Sequence, residues 1–298
     1  MTATDPAEPP AGRVWLITGA SSGFGRALAE AAVAAGDVVV GAARQTARLD
    51  DLAAAHPGRV HPVALDVTDA ERCRAAVDEV VRRFGRIDVL VNNAGRTQVG
   101  ALEETTDAEL RSLFDLHFFG PAALTRAVLP HMRRHGGGWV VQMSSVGGQV
   151  TGAGFDAYCA TKFALEGLTQ SLVDEVDFGV RFLIVEPGAF RTGLFDQNSA
   201  YLSAPRPEYA ATVGPTREYV QGAGGSQAGD PAKAAQAILT VMAAENPPLR
   251  LVLGADAIDG IRSRLEVMQA ELAAWDAVGR DTAVDDDPEP TGGQAPRG

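Results

Sequence analysis

Tyr158 and Lys162 stand four residues apart in Ala157-Tyr158-Cys159-Ala160-Thr161-Lys162-Phe163. On a helix that spacing points both side chains along one face. A phenol titrates near 10 and is a poor acid or base at neutral pH, but a neighbouring ammonium favours the phenolate and is expected to pull that value down. The pair would then exchange a proton with a substrate oxygen near the working pH. Ser144-Ser145, after the apolar run Val140-Val141-Gln142-Met143, offers a hydroxyl to the same oxygen. Taken alone, a tyrosine and a lysine at a helix start are more often packing and solvated charge, so the case needs companion motifs.

The first companion is a glycine loop. Val14 to Thr18 reads as a strand and runs into Gly19-Ala20-Ser21-Ser22-Gly23-Phe24-Gly25, after which Ala27, Leu28, Ala31 and Ala32 recur at helical spacing. Glycines allow unusual dihedrals and close approach of a diphosphate, which the free amides and positive pole of the helix attract. A plain tight turn is the blander reading, and the flanking strand and amphipathic helix count against it. No Lys-Ser or Lys-Thr follows the last glycine, which excludes a P-loop.

These residues need a sheet to hold them. Short β-branched runs at Val14 to Thr18, Val38 to Ala43, Val60 to Leu65, Val89 to Asn92, Trp139 to Met143, Arg181 to Val185 and Arg250 to Leu253 alternate with helical stretches. That is the pattern of an α/β doubly wound sheet of about seven parallel strands covered on both faces. Thr68-Asp69-Ala70-Glu71 and Thr106-Asp107-Ala108-Glu109 read as capping boxes at helix starts. Two long helices are expected, Asp107 to Arg134 and Asp156 to Phe178. With no internal repeat, a single domain is expected over 13–279. Residues 193–229 lack clear periodicity yet hold Leu194, Phe195, Tyr201, Leu202, Tyr209 and Tyr219, so they read as a substrate lid. Residues 1–12 and 280–298 read as disordered segments, the latter acidic with Asp285-Asp286-Asp287.

The 298 residues are 46% hydrophobic and 21% charged, ordinary for a globular chain. A net charge of −12 argues against a nucleic-acid footprint. No apolar run is long enough to span a membrane and the start is not a signal peptide, so a cytoplasmic location is expected. Cys73 and Cys159 have neither disulfide nor zinc spacing, and no metal is expected.

The glycine spacing resembles the cofactor loop of the short-chain dehydrogenase/reductase family. So do Asp66-Val67, Asn92-Asn93-Ala94-Gly95, Ser144-Ser145, Tyr158-x-x-x-Lys162 and Pro187-Gly188 with Thr192, in that order along the chain. The resemblance implies a Rossmann-like fold and hydride transfer between a nicotinamide and a carbonyl or secondary alcohol. Tyr158 would act as the acid/base, Ser145 would bind the substrate oxygen, and Lys162 would also hold the nicotinamide ribose. The family's serine-to-tyrosine distance selects Ser145 over Ser144. Gly19, Ser21, Ser22, Gly23, Phe24 and Gly25 would cradle the diphosphate, Asp66 with Val67 would meet the adenine, and Asn93, Ala94 and Gly95 would pass the adenosine ribose. Pro187, Gly188, Phe190 and Thr192 would hold the carboxamide. Ala43-Arg44, where an acid would bind the ribose 2′-hydroxyl of NAD, favours NADP(H) over NAD(H).

His117 stands where the family usually has asparagine as a fourth catalytic residue. It is either a relay member that titrates near neutrality or a satisfied buried histidine. The run from Tyr158 to Leu168 is similar to the 17β-hydroxysteroid and retinol dehydrogenase branch, implying a bulky apolar ketone or secondary alcohol. Candidate walls are Val146, Gln149, Val150, Phe155, Phe190, Leu194 and Phe195. The resemblance also implies a homodimer or homotetramer through the two long helices. A rival reading is a non-catalytic NADP(H)-sensing protein on the same fold.

Overall fold

The computed structural model describes residues 11–195 and 200–284. Positions 1–10, 196–199 and 285–298, which include most of both expected disordered segments, lie outside the described residues. The described chain runs β1 (Val14–Thr18), α1 (Gly23–Ala34), β2 (Val38–Ala43), α2 (Asp50–Ala55), β3 (Val60–Ala64), α3 (Ala70–Phe84), β4 (Val89–Asn92), β5 (Gln98–Val99), α4 (Asp107–Phe114) and α5 (Gly120–His135). It continues through β6 (Gly138–Met143), α6 (Asp156–Glu175), β7 (Val180–Pro187), β8 (Tyr201–Leu202), α7 (Gly214–Gly222), α8 (Pro231–Met242), β9 (Arg250–Leu253) and α9 (Ala255–Arg280).

The expected seven strands form one sheet in the order β3-β2-β1-β4-β6-β7-β9, every pair parallel. Alternation along β1 shows why both faces are covered. Trp15 and Ile17 enter a cluster with Leu28 of α1 and Ile238 of α8, while Val14 and Leu16 enter another with Val77 of α3 and Leu124 of α5. The winding reverses between β1 and β4, and such a switch opens a crevice at the carboxyl ends of the strands.

Local structure departs from expectation in four places. The α3 cap is Asp69, one residue later than Thr68: its carboxylate accepts from the Glu71 and Arg72 amides, because Thr68 is engaged with Asp66. The Thr106–Glu109 capping box forms as expected. The helix expected from Asp107 to Arg134 is interrupted by a π-turn over Asp115–Phe119. Pro121 has no N–H to donate to the carbonyl of His117, four residues back, and the Gly120 N–H reaches five back to Asp115 instead. Gly120 itself is tightly placed, since a Cβ there would meet the Val67 carbonyl at 2.6 Å.

The stretch read as aperiodic, 193–229, carries β8, α7 and a third apolar cluster in which Val213 and Val220 pack with Val99 and Ala101. β8 pairs in parallel with β5. A buried ion pair ties α7 to the segment before α4, Arg217 to Glu104 at 2.6 Å. Short elements whose partners lie about a hundred residues away leave no periodic trace in the sequence. Beyond the last of the seven expected strands the chain forms α9, a helix of 26 residues.

Candidate active site

A cleft of about 430 Å³ opens at the carboxyl edge of the sheet, over the switch between β1 and β4. Its floor is the glycine turn after β1. Gly19 and Gly23 hold positive φ, 63° and 53°, which only glycine adopts freely. A Cβ on Gly25 would stand 2.4 Å from the Gly19 carbonyl, so α1 can close on the turn only without a side chain there. Thr18 pins this turn to β4: its hydroxyl accepts from the Asn93 and Ala94 amides and donates to the Val91 carbonyl. Asn93 also braces the loop, its Nδ2 donating to the Thr18 carbonyl at 2.8 Å.

Gly19, Ser21, Ser22, Gly23 and Phe24 line the cleft together with Arg44, Asp66, Val67, Asn93, Ala94 and Gly95. The Asp66 carboxylate is held in place by the Thr68 amide and hydroxyl. Burial pushes its pKa up, but those bonds and the charge of Arg44 outweigh burial and leave it below the usual carboxylate range. Arg44 is exposed at the rim and joins no ion pair among the described residues. On the far side the segment after β7 folds over the glycine turn, with Pro187, Gly188, Phe190, Thr192, Leu194 and Phe195 lining the cleft. Phe190 packs on Phe24 with ring centres 5.1 Å apart. An open cradle of amides, a free guanidinium at the end of β2 and an apolar far wall fit a dinucleotide.

Ser145, Tyr158, Lys162 and His117 converge on this cleft. Ser145 caps a 3₁₀ turn, its Oγ accepting the Gly147 amide at 3.1 Å. With that lone pair used, its hydroxyl hydrogen is free to donate to the phenol side of the site. Ser144 instead donates to buried Glu166 at 2.5 Å and is unavailable for chemistry.

The anticipated pull of Lys162 on the phenol is corrected by the structure. Burial pushes Tyr158 up to about 12, and the Ser145 hydroxyl beside it opposes only part of that rise. The Lys162 ammonium lies 5.7 Å from the tyrosine ring centre and donates to the Met143 carbonyl at 2.8 Å. Burial pushes this ammonium down to about 8, opposed by Glu166.

His117 is fully engaged. Its Nε2 accepts the Arg96 amide at 3.2 Å, so Nδ1 carries the proton and donates to Thr161 Oγ1 at 2.9 Å, and Thr161 donates to the Tyr158 carbonyl at 2.7 Å. Burial, then the charges of Lys162 and Arg96, hold it well below its ordinary value. Of the two readings of His117, the structure favours the satisfied buried one: it stays neutral across the working range and braces the turn carrying Tyr158. Thr161 was not singled out from sequence because its partner lies 44 residues away.

Other expected walls lie elsewhere. Val146, Gln149, Val150 and Phe155 do not line the cleft. Phe155 packs against the third cluster. Gln149 is drawn into a buried polar knot under Ser144: its amide donates to Glu166 at 2.5 Å and to Glu186 at 3.3 Å, and Arg250 pairs with both carboxylates. Gly148 is forced by this knot, for a Cβ there would overlap the Glu166 carboxylate.

Burial, then the Glu166 charge, raises Glu186 to about 7 against the pull of Arg250 and Gln149. A carboxyl raised in the fold keeps a proton that the unfolded chain releases above about 4.5, so stability is full below that pH and is lost as pH rises towards 7. Glu186→Gln is expected to match the parent's Tm near pH 4.5 and to exceed it above pH 7 in thermal melts. A lower Tm for the variant at pH 8 would show that pairing with Arg250 dominates.

Among the described residues no helix is long and apolar enough to cross a membrane, and no group of three or more His, Cys, Asp or Glu side chains is placed to hold a metal. Residues 13–202 match the family model described as short chain dehydrogenase. The chain is 60% identical to a solved short-chain dehydrogenase from Streptomyces avermitilis, with a TM-score of 0.87, covering 92% of this chain and 99% of that one. It is 37% identical over 265 residues to oxidoreductase BOA17 of Botryotinia fuckeliana, covering 88% of this chain and 96% of the relative. A 3-ketodihydrosphingosine reductase of Bacteroides thetaiotaomicron is 35% identical over 245 residues, 81% of this chain and 88% of its own length.

Proposed function

The chain belongs to the short-chain dehydrogenase family, oxidoreductases that use a nicotinamide cofactor, and from that premise we propose that it is an NADP(H)-dependent enzyme interconverting a ketone and a secondary alcohol on a bulky apolar substrate. The observation that carries this reading is the convergence of Tyr158, Ser145 and Lys162 on the cleft that also holds the glycine turn. A nicotinamide held in the cleft would supply or accept the hydride. The rest falls to the chain's own groups.

Ser145, oriented by the Gly147 amide, donates to the substrate oxygen and fixes the carbonyl beside the phenol. Tyr158, held protonated by burial, delivers its proton to that oxygen in the reductive direction and takes it back in the oxidative one. Lys162, its ammonium 5.7 Å from the tyrosine ring centre, would hold the nicotinamide ribose beside that proton donor. His117 and Thr161 hold the backbone of Tyr158 in register.

The preference for NADP(H) rests on Arg44, exposed at the end of β2 and without an ion-pair partner among the described residues, with uncharged Ala43 before it. A guanidinium there pairs with a 2′-phosphate and an acid repels it. Ala43→Asp is expected to lower kcat/KM with NADPH relative to NADH at least about tenfold; an unchanged ratio would remove the assignment. A bulky apolar substrate fits Leu194, Phe195 and Phe190 on the far wall, and the relative named for 3-ketodihydrosphingosine is in keeping with that. Exposed Phe119, Phe163 and Val173 on or beside α5 and α6 support subunit pairing through those helices.

The direct test is purified protein with NADPH or NADH against a panel of steroid, long-chain and aromatic ketones, followed by loss of reduced-nicotinamide absorbance. Turnover confined to small polar carbonyls would refute the substrate class. Binding of NADPH without turnover of any ketone would point to the nucleotide-sensing alternative.

A further inference from the structure

The last helix carries an apolar stripe that nothing in the described structure covers. Along α9 the residues Ile258, Ile261, Leu265, Met268, Leu272 and Trp275 recur alternately three and four apart, which winds them into one continuous seam. From position 262 to 284 every residue is exposed. On the seam the exposure is 50% at Leu265, 48% at Met268, 73% at Leu272 and 69% at Trp275. Only the root is seated, where a Cβ at Gly260 would lie 3.9 Å from Val150. A 26-residue helix is about 39 Å long. Most helical stability in proteins comes from packing an amphipathic face, and a contiguous exposed apolar seam marks an interaction surface.

The charges flanking the seam decide what covers it. Arg264 and Glu271 sit seven residues apart on one edge, within 3.9 Å of each other, and Gln269 and Asp276 sit seven apart on the other, with Asp276 paired to Arg280. Two parallel copies would set each Glu271 against the partner's Asp276, a repulsion. Two antiparallel copies set Arg264 against the partner's Glu271, and the same contact recurs by symmetry.

The antiparallel register also uses every seam residue. With the two-fold axis passing between Glu266 and Val267, Leu265 meets the partner's Met268, Ile261 meets the partner's Leu272 and Ile258 meets the partner's Trp275. An anionic lipid surface fits worse, because the helix carries Asp256, Asp259, Glu266, Glu271 and Asp276 against only Arg262, Arg264 and Arg280. We propose that α9 is an assembly helix that pairs antiparallel with α9 of a second copy of this chain, an isologous contact separate from α5 and α6. The pairing does not depend on the enzymatic reading above.

The test is cysteine cross-linking in the full chain. Positions 261 and 272 are eleven residues apart, about 16 Å along a helix, too far to be bridged within one chain. Ile261→Cys/Leu272→Cys is expected to give a covalent dimer on mild oxidation, and neither single variant is expected to give one. Cys73 and Cys159 are buried and leave the parent protein unlinked. A dimer from Leu272→Cys alone would mean parallel pairing, and no dimer from the double variant would mean that another partner covers the seam; either result overturns the proposal. As a second readout, Arg264→Glu is expected to weaken self-association about tenfold and the swap Arg264→Glu/Glu271→Arg to restore it. Indifference to the single charge reversal would overturn the register even if the chains associate.

Discussion

Replacing Tyr158 by phenylalanine is expected to lower kcat for ketone reduction by about 10² to 10⁴-fold, the span that a positioned general acid contributes, while nucleotide affinity and Tm stay close to the parent's. The expectation of an intact fold is specific. The ring packs edge-on against His117 and Phe155, with centres 5.6 and 6.3 Å away, and phenylalanine keeps both contacts. The Ser145 hydroxyl keeps its bond from the Gly147 amide, and the Thr161 bond to position 158 goes to the main-chain carbonyl. Only the acid is removed. Because burial raises the phenol to about 12, the phenol keeps its proton through neutrality, and a fall in the reductive rate near pH 8 belongs to Lys162. Oxidation, which needs the phenolate, should gain rate steadily as pH rises. A loss below tenfold in the variant would remove Tyr158 from the proton-transfer role.

The residues that sequence reading picked out were those whose demand is local. Gly19, Gly23 and Gly25 are fixed by the dihedrals and clearances of one turn, and Tyr158 and Lys162 by one turn of helix, so their spacing alone carries the information. The seven strands were legible for a similar reason: buried on both faces, they read as unbroken apolar runs. What stayed hidden depends on distant partners. Glu166 looks like an exposed helix position until β7 and β9 bring Glu186 and Arg250 against it. Gln149 looks like a cleft wall until the same carboxylates claim its amide. The proton on His117 is set by an amide and a hydroxyl 21 and 44 residues away. α9 is different: the three-and-four spacing of its apolar residues is visible in the sequence, but the seam faces nothing within the chain and so belongs to none of its cores.

The second large effect concerns Lys162, one of two lysines in a chain whose other 24 of 26 basic side chains are arginine. An arginine could carry the charge, but its planar fork would neither fit beneath the tyrosine nor release a proton. Lys162→Met keeps the length and discards the ammonium. Without an ammonium to hold the nicotinamide ribose in place beside Tyr158, kcat should fall at least about 10²-fold.

Stability should move the other way, and its pH dependence identifies the cause. The folded ammonium is held at about 8 against an ordinary 10.5. Between those two values the unfolded chain binds a proton that the folded chain has released, so folding gains stability as pH rises through that window, by about 3 kcal/mol in all. Below pH 8 both states are protonated, and the full penalty of burying the charge applies. The methionine variant has no such penalty at any pH. Its Tm advantage over the parent is therefore expected to be greatest at pH 7 and to shrink steadily towards pH 10.5 in paired melts. Parallel curves across that window would show that the ammonium is as well solvated in the fold as outside it, and with that the account of a buried cation maintained for chemistry at the expense of stability would fail.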